Sequence, residues 1–143
     1  MKALECLRTP AHRSTAQLLW RALVGIVLAG LSPIVMALDI QPYSAERLAQ
    51  LQTAGKAVGV HFHAEWCGTC KTQEKALQAI KSEGSLPGVA LLVADYDKEK
   101  ELRKQMKVRA QSTLVVFKGS QEVARVGGDT EAAKLKAALA KAS

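Results

Sequence analysis

The chain has 143 residues, which suits one domain, and its 48% hydrophobic content supplies a core but is too low for a protein that crosses a membrane many times. Lys and Arg number 20 against 13 Asp and Glu, yet the basic residues form no block of the kind that tracks nucleic acid, and several lie in the N-terminal segment.

That segment comes first in chain order. Lys2, Arg8, Arg13 and Arg21 make a positive region, "ALVGIVLAGLSPIVMA" from Ala22 to Ala37 is uncharged and mostly apolar, and Val35-Met36-Ala37 offers small residues at the −3 and −1 positions of a cleavage site. The pattern predicts a secretory signal over residues 1–37, cut after Ala37, and a mature domain over residues 38–143. An uncleaved anchor is the competing reading: the uncharged stretch Ala22 to Leu38 has 17 residues, at the lower limit of about 17 for a spanning helix. Pro33 and the Val-Met-Ala ending favour cleavage, and no Cys follows the apolar run to carry a lipid. Cleavage removes four basic residues and Glu5, leaving 16 Lys and Arg against 12 Asp and Glu, or +4. Such a domain needs no nucleic-acid partner, and membrane contact is limited to the signal segment if it stays uncleaved. Cys6 leaves too, so Cys67 and Cys70 are the only cysteines of the mature chain.

From Leu38 onward the periodicities predict alternating elements. Ser44 caps a short helix, "AERLAQLQ", which Gly55 ends before a strand from Ala57 to about Ala64. A helix opens at the Cys67–Cys70 turn and carries Ala76, Leu77 and Ile80 at helical spacing as far as Gly84. Pro87-Gly88 is a turn, and "VALLVADYD" from Val89 reads as a strand buried on both faces. Lys98 to Met106 is a charged helix that shows Leu102 and Met106 to the core. Thr113 to Phe117 and Glu122 to Val126 are strands joined by the turn "KGSQ", and Asp129-Thr130 caps a final helix with Ala133, Leu135, Ala138 and Leu139 available for packing. The order α-β-α-β-α-β-β-α implies an α/β fold, a mixed central sheet with helices on both faces.

The two cysteines admit three readings. Three positions apart at a helix start, their sulfurs lie on one side of the first turn and can bond across a very small loop, which removes little unfolded-state entropy and so explains a purely structural disulfide poorly. A metal site of copper or zinc would need both mature histidines, His61 and His63, beside the two thiols. A redox pair needs less: helix N-terminal N–H groups and the dipole stabilise a thiolate on Cys67, lowering its pKa below the free value of about 8.5. Cys70, one turn inside, suits the resolving role.

"FHAEWCGTCK" resembles the active-site segment of the thioredoxin family, usually W-C-G-P-C-K after a buried strand. The likeness extends over roughly Ala45 to Ala140, with "VADYDKEKELRKQMKVRAQSTLVVFKG" similar to the central strand, helix and hairpin, and Val126-Gly127 to the glycine after the hairpin. The resemblance implies the thioredoxin fold, a redox-active Cys67-Cys70 disulfide, Cys67 as attacking and Cys70 as resolving cysteine, and Trp66 either beside the site or filling the core. It implies no cofactor.

Three departures mark this chain. Ser112, after Gln111, stands where the family has a cis-proline facing the cysteines. A cis bond before serine costs about 2.5–4 kcal/mol, so a trans peptide is expected. Its hydroxyl is placed to donate to Cys67, its open site to ease metal access, and Ser112→Pro is expected to restore an ordinary groove and raise activity. His61 and Val93 occupy the places of a buried aspartate and its lysine partner. His61 and His63 point to one face of their strand, and either can be offered as the base that takes the Cys70 proton or as a hydrogen-bonded core residue. Between the cysteines stand Gly68 and Thr69, where strongly oxidising relatives often carry a charged His, so a more reducing pair is expected.

Together these features predict an exported thiol-disulfide oxidoreductase acting on disulfide-containing periplasmic proteins, re-reduced by a membrane thiol-disulfide electron donor. The alternatives are a thioredoxin-like copper or zinc chaperone that uses Cys67, Cys70 and His61 or His63, and a thioredoxin-like domain that only binds partners.

Overall fold

The computed structural model describes residues 37–143. The N-terminal segment read as a signal, with Cys6, lies outside them up to Met36, and no helix among the described residues is long and apolar enough to cross a membrane.

The elements are β1 (Asp39–Pro42), α1 (Ala45–Thr53), β2 (Ala57–His63), α2 (Gly68–Ser82), β3 (Ala90–Asp95), α3 (Lys100–Gln105), β4 (Thr113–Lys118), β5 (Gln121–Gly127) and α4 (Ala132–Ala140). Ser44 caps α1 as expected, its hydroxyl accepting from Arg47 N, and Gly55 ends that helix with φ +66°. Two expectations at the ends are corrected. A strand, β1, precedes α1. The last helix starts later, with Glu131 as the residue before its first turn, while Asp129 accepts from Glu131 N without being the cap itself. That shift exposes Ala133 and packs Ala132 instead.

The sheet order is β1-β3-β2-β4-β5. β1 and β2 both run parallel to β3, and β4 runs antiparallel to β2 and β5. Alternation along the central strands makes two cores. Val58, Val60 and Phe62 of β2 pack with Leu92 of β3 and Val115 of β4 beneath Leu48, Leu51 and Leu102 of α1 and α3. On the other face Leu91, Leu114 and Val116 pack beneath Leu77 and Ile80 of α2 and Leu135 and Leu139 of α4. Gly59 belongs to that second face, and an added Cβ would come within 2.9 Å of Leu139. A glycine there lets α4 lie close against β2. The next side chains on this face toward the strand end are polar, His61 and His63, and they bring the core up to the cysteines.

Candidate active site

β2 ends and α2 begins around the disulfide between Cys67 and Cys70, whose Cα atoms are 5.2 Å apart. Cys67 is the N-cap of α2, its Sγ accepting from Cys70 N at 3.1 Å. This is the placement the spacing predicts: a sulfur facing unpaired N–H groups at the positive end of a 15-residue helix. Cys67 keeps 4% of its surface exposed and Cys70 none, so a partner can reach only the first.

Ser112 faces both. Its Oγ lies 3.1 Å from Cys67 Sγ and 3.1 Å from Cys70 Sγ. No peptide bond among the described residues is cis, so Gln111–Ser112 is trans as expected. The unexpected feature is the Ser112 backbone, in the left-handed region at φ +60°, which costs a non-glycine residue about 1–3 kcal/mol and persists only where its surroundings hold it. They do: Ser112 N–H donates to Phe62 O at 2.9 Å, and Ser112 O accepts from Gly128 N at 2.9 Å and from Gln73 Nε2 at 3.1 Å. Gly127 is brought beside this turn by pairing with Thr113.

His61 and His63 share a face, their rings 5.9 Å apart and edge to face. Among the described residues neither hydrogen-bonds a sulfur. His61, 1% exposed, meets Gln73 Oε1 through Nε2 at 2.9 Å, the arrangement of a satisfied core histidine. Burial, reinforced by the neighbouring His63 and opposed by the Gln73 bond, lowers its pKa to about 4. A base that weak takes a thiol proton poorly at neutral pH. His63 Nε2 lies 3.6 Å from Glu74, too long for a hydrogen bond. Val93 is the register partner of His61 across β2 and β3. In the space beside it, where the family carries lysine, a cleft of about 270 Å³ opens between His61, His63, Lys71 and Glu74.

The buried His61 makes stability depend on pH. Its folded pKa lies below the ordinary 6.5, so the unfolded chain binds a proton that the native protein refuses, and stability is lost as pH falls from 6.5 through about 4. Denaturant unfolding should show a loss of about 2 kcal/mol between pH 7 and pH 5. In His61→Phe that slope should vanish, and its survival would place the titrating group elsewhere. The carboxylates of Glu83, Asp95, Glu122 and Asp129 are all shifted downward by hydrogen bonds and cations, so their losses fall at lower pH.

Of the other residues read as site residues, Trp66 is 63% exposed, with Nε1 donating to Asp97 at 2.8 Å, so it does not fill the core. Gly68 and Thr69 are exposed on the first turn of α2, and Gln111 is half-buried beside Ser112. No group of three or more His, Cys, Asp or Glu among the described residues is placed to hold an ion, and Gln73 already engages His61 Nε2. The sequence pattern alone does not single out Gln73. Its signal is positional, a polar residue on the stripe Cys70, Gln73, Leu77, Ile80 that α2 buries.

A mixed five-stranded sheet with a cysteine pair at disulfide distance on the first turn of its long helix defines a thioredoxin-like disulfide oxidoreductase. The chain belongs to the thioredoxin family, whose model matches residues 43–141. It is 36% identical over 89 residues to a thioredoxin of Chlamydia trachomatis, covering 62% of this chain and 84% of that one. A protein of Schizosaccharomyces pombe described as a protein disulfide-isomerase is 30% identical over 90 residues, 63% of this chain, which spans only 18% of that longer protein. Among solved structures, Trxlp from Edwardsiella tarda aligns with a TM-score of 0.67 and 32% identity over 71% of this chain and 98% of that one.

Proposed function

We propose that the protein is exported and reduces or exchanges disulfides of periplasmic proteins, with Cys67 attacking and Cys70 resolving. The observation that carries this reading is the Cys67 sulfur at the N-cap of α2, bonded by Cys70 N. In the reduced protein the Cys67 thiolate attacks one sulfur of a partner disulfide, that S–S bond breaks, and the partner's second sulfur leaves as a thiolate and is protonated. Cys70 then attacks Cys67 Sγ, the bond from Cys67 Sγ to the partner's first sulfur breaks, and that sulfur departs as a thiol carrying the proton that Cys70 gives up. Two electrons have passed to the partner, and Cys67–Cys70 is the disulfide.

One Ser112 hydroxyl serves both steps. It donates to the Cys67 thiolate while accepting from the Cys70 thiol, then turns to donate to Cys70 as that sulfur becomes the anion. Trp66, Gly68, Thr69, Gln111 and Gly127 form the rim that a partner's backbone meets. A membrane thiol-disulfide donor is the class of partner that returns the electrons, because an oxidising compartment supplies none.

Turnover on a disulfide-bonded protein with a dithiol as reductant tests the chemistry, and no turnover above the dithiol alone would contradict it. Export has its own test. N-terminal sequencing of protein from expressing cells should begin at Leu38 in the periplasmic extract, whereas a membrane-bound chain starting at Met1 would favour the anchor.

A further inference from the structure

Gln73 is fully buried, and all of its polar atoms are engaged across three separate segments. Nε2 donates to Ser112 O at 3.1 Å and to Asp129 O at 2.6 Å, which leaves Oε1 as acceptor for His61 at 2.9 Å. Because both amide hydrogens go to carbonyls, the His61 bond can form only if Nε2 of the imidazole carries the proton, so the amide fixes the ring's tautomer. The same side chain ties the carbonyl of the one residue whose hydroxyl touches both sulfurs, and whose backbone is held in an unfavourable conformation. Packing alone would be met by an apolar residue such as Leu77 or Ile80, which follow on the same stripe. A buried amide with three oriented bonds does something a methyl group would not.

We propose that Gln73 is a positioning residue for the disulfide chemistry: it holds the Ser112 hydroxyl against both cysteines, and so sets how far the Cys67 thiolate is favoured, while locking His61 in its Nε2-protonated tautomer. The inference rests on the dithiol-disulfide reading above. In the reduced protein a hydroxyl held at this place stabilises the thiolate form, and a hydrogen bond to a charged group is among the stronger ones. Without Gln73 the Ser112 carbonyl keeps only the Gly128 N–H, so one of the three bonds that hold the left-handed turn is lost and the hydroxyl can move off the sulfurs.

The test combines Gln73→Met, Ser112→Ala and the double variant. Thiolate absorbance should appear at higher pH in Gln73→Met than in the wild type, and the equilibrium with glutathione should move about tenfold toward oxidised protein. Ser112→Ala should do the same, and the double variant should go no further than Ser112→Ala alone, because the two changes remove one interaction. The nitrogen chemical shifts of His61 should report the Nε2-protonated tautomer in the wild type and a mixture in Gln73→Met. A folded Gln73→Met with wild-type thiolate titration and glutathione equilibrium would overturn the proposal, as would effects that simply add in the double variant. Should Gln73→Met not fold, Ser112→Ala decides: an unchanged titration there removes the hydroxyl from the chemistry and the role of Gln73 with it. A wild-type protein whose cysteines never cycle would instead overturn the oxidoreductase reading.

Discussion

Cys67→Ser should bring disulfide reduction down to background, and Cys70→Ser should accumulate a mixed disulfide between Cys67 and the partner. The two cysteines are chemically alike and differ only in placement. Cys67 caps the helix, accepts from Cys70 N and keeps a small exposed surface, whereas Cys70 is sealed inside. Without Cys67 no sulfur reaches the partner. Without Cys70 the first exchange still runs, but nothing expels the product. Non-reducing electrophoresis of each variant with a disulfide-bonded substrate, followed by mass analysis of the linked species, checks this. A mixed disulfide through Cys70 in the Cys67→Ser protein would reverse the two roles.

Ser112→Pro should destabilise the protein by about 3 kcal/mol or more and lower turnover, the opposite of the restored groove that the family pattern suggests. Proline fixes φ near −65° and has no N–H, whereas Ser112 sits at φ +60° and donates to Phe62 O. The substitution leaves a buried carbonyl unpaired, demands a new backbone path, and removes the hydroxyl shared by the two sulfurs. Ser112→Gly separates these effects: glycine accepts the left-handed backbone, so the fold should hold while the hydroxyl is lost. Thermal unfolding of both variants gives the comparison, and a Ser112→Pro protein as stable as the wild type would mean that the loop rebuilds readily around the ring.

The central strands, the long helix and the cysteine pair are legible in the sequence because local rules govern them. Val58, Val60 and Phe62 alternate, Leu77 and Ile80 follow helical spacing, and a pair three apart after a strand end falls on a helix start. β1 is not legible in the same way. Asp39–Pro42 has four residues, one of them proline and only Ile40 a strong strand former, and it is a strand because Asp39 to Pro42 find the edge of β3 from Ala90 to Val93. Ser112 shows the same limit at the site. Its place opposite the cysteines is readable from the pattern, but its left-handed turn follows from bonds to Phe62, Gly128 and Gln73, which come from three distant parts of the chain. Gln73 looks like one more polar residue of an amphipathic helix until its position on the buried stripe is counted. Alternation along β2 puts the two histidines on one face, while the role open to His61 is narrowed by a partner that nothing nearby in the sequence announces.

Equilibration of the purified protein in glutathione buffers of graded ratio, with alkylation and mass analysis of Cys67 and Cys70, tests the dithiol-disulfide cycle most directly. Both thiols should appear and disappear together in one two-electron transition, at a potential more reducing than that of the glutathione couple, because Gly68-Thr69 places no charge between the cysteines. A disulfide that stays closed under strongly reducing dithiols, or two cysteines that react independently of each other, would contradict it.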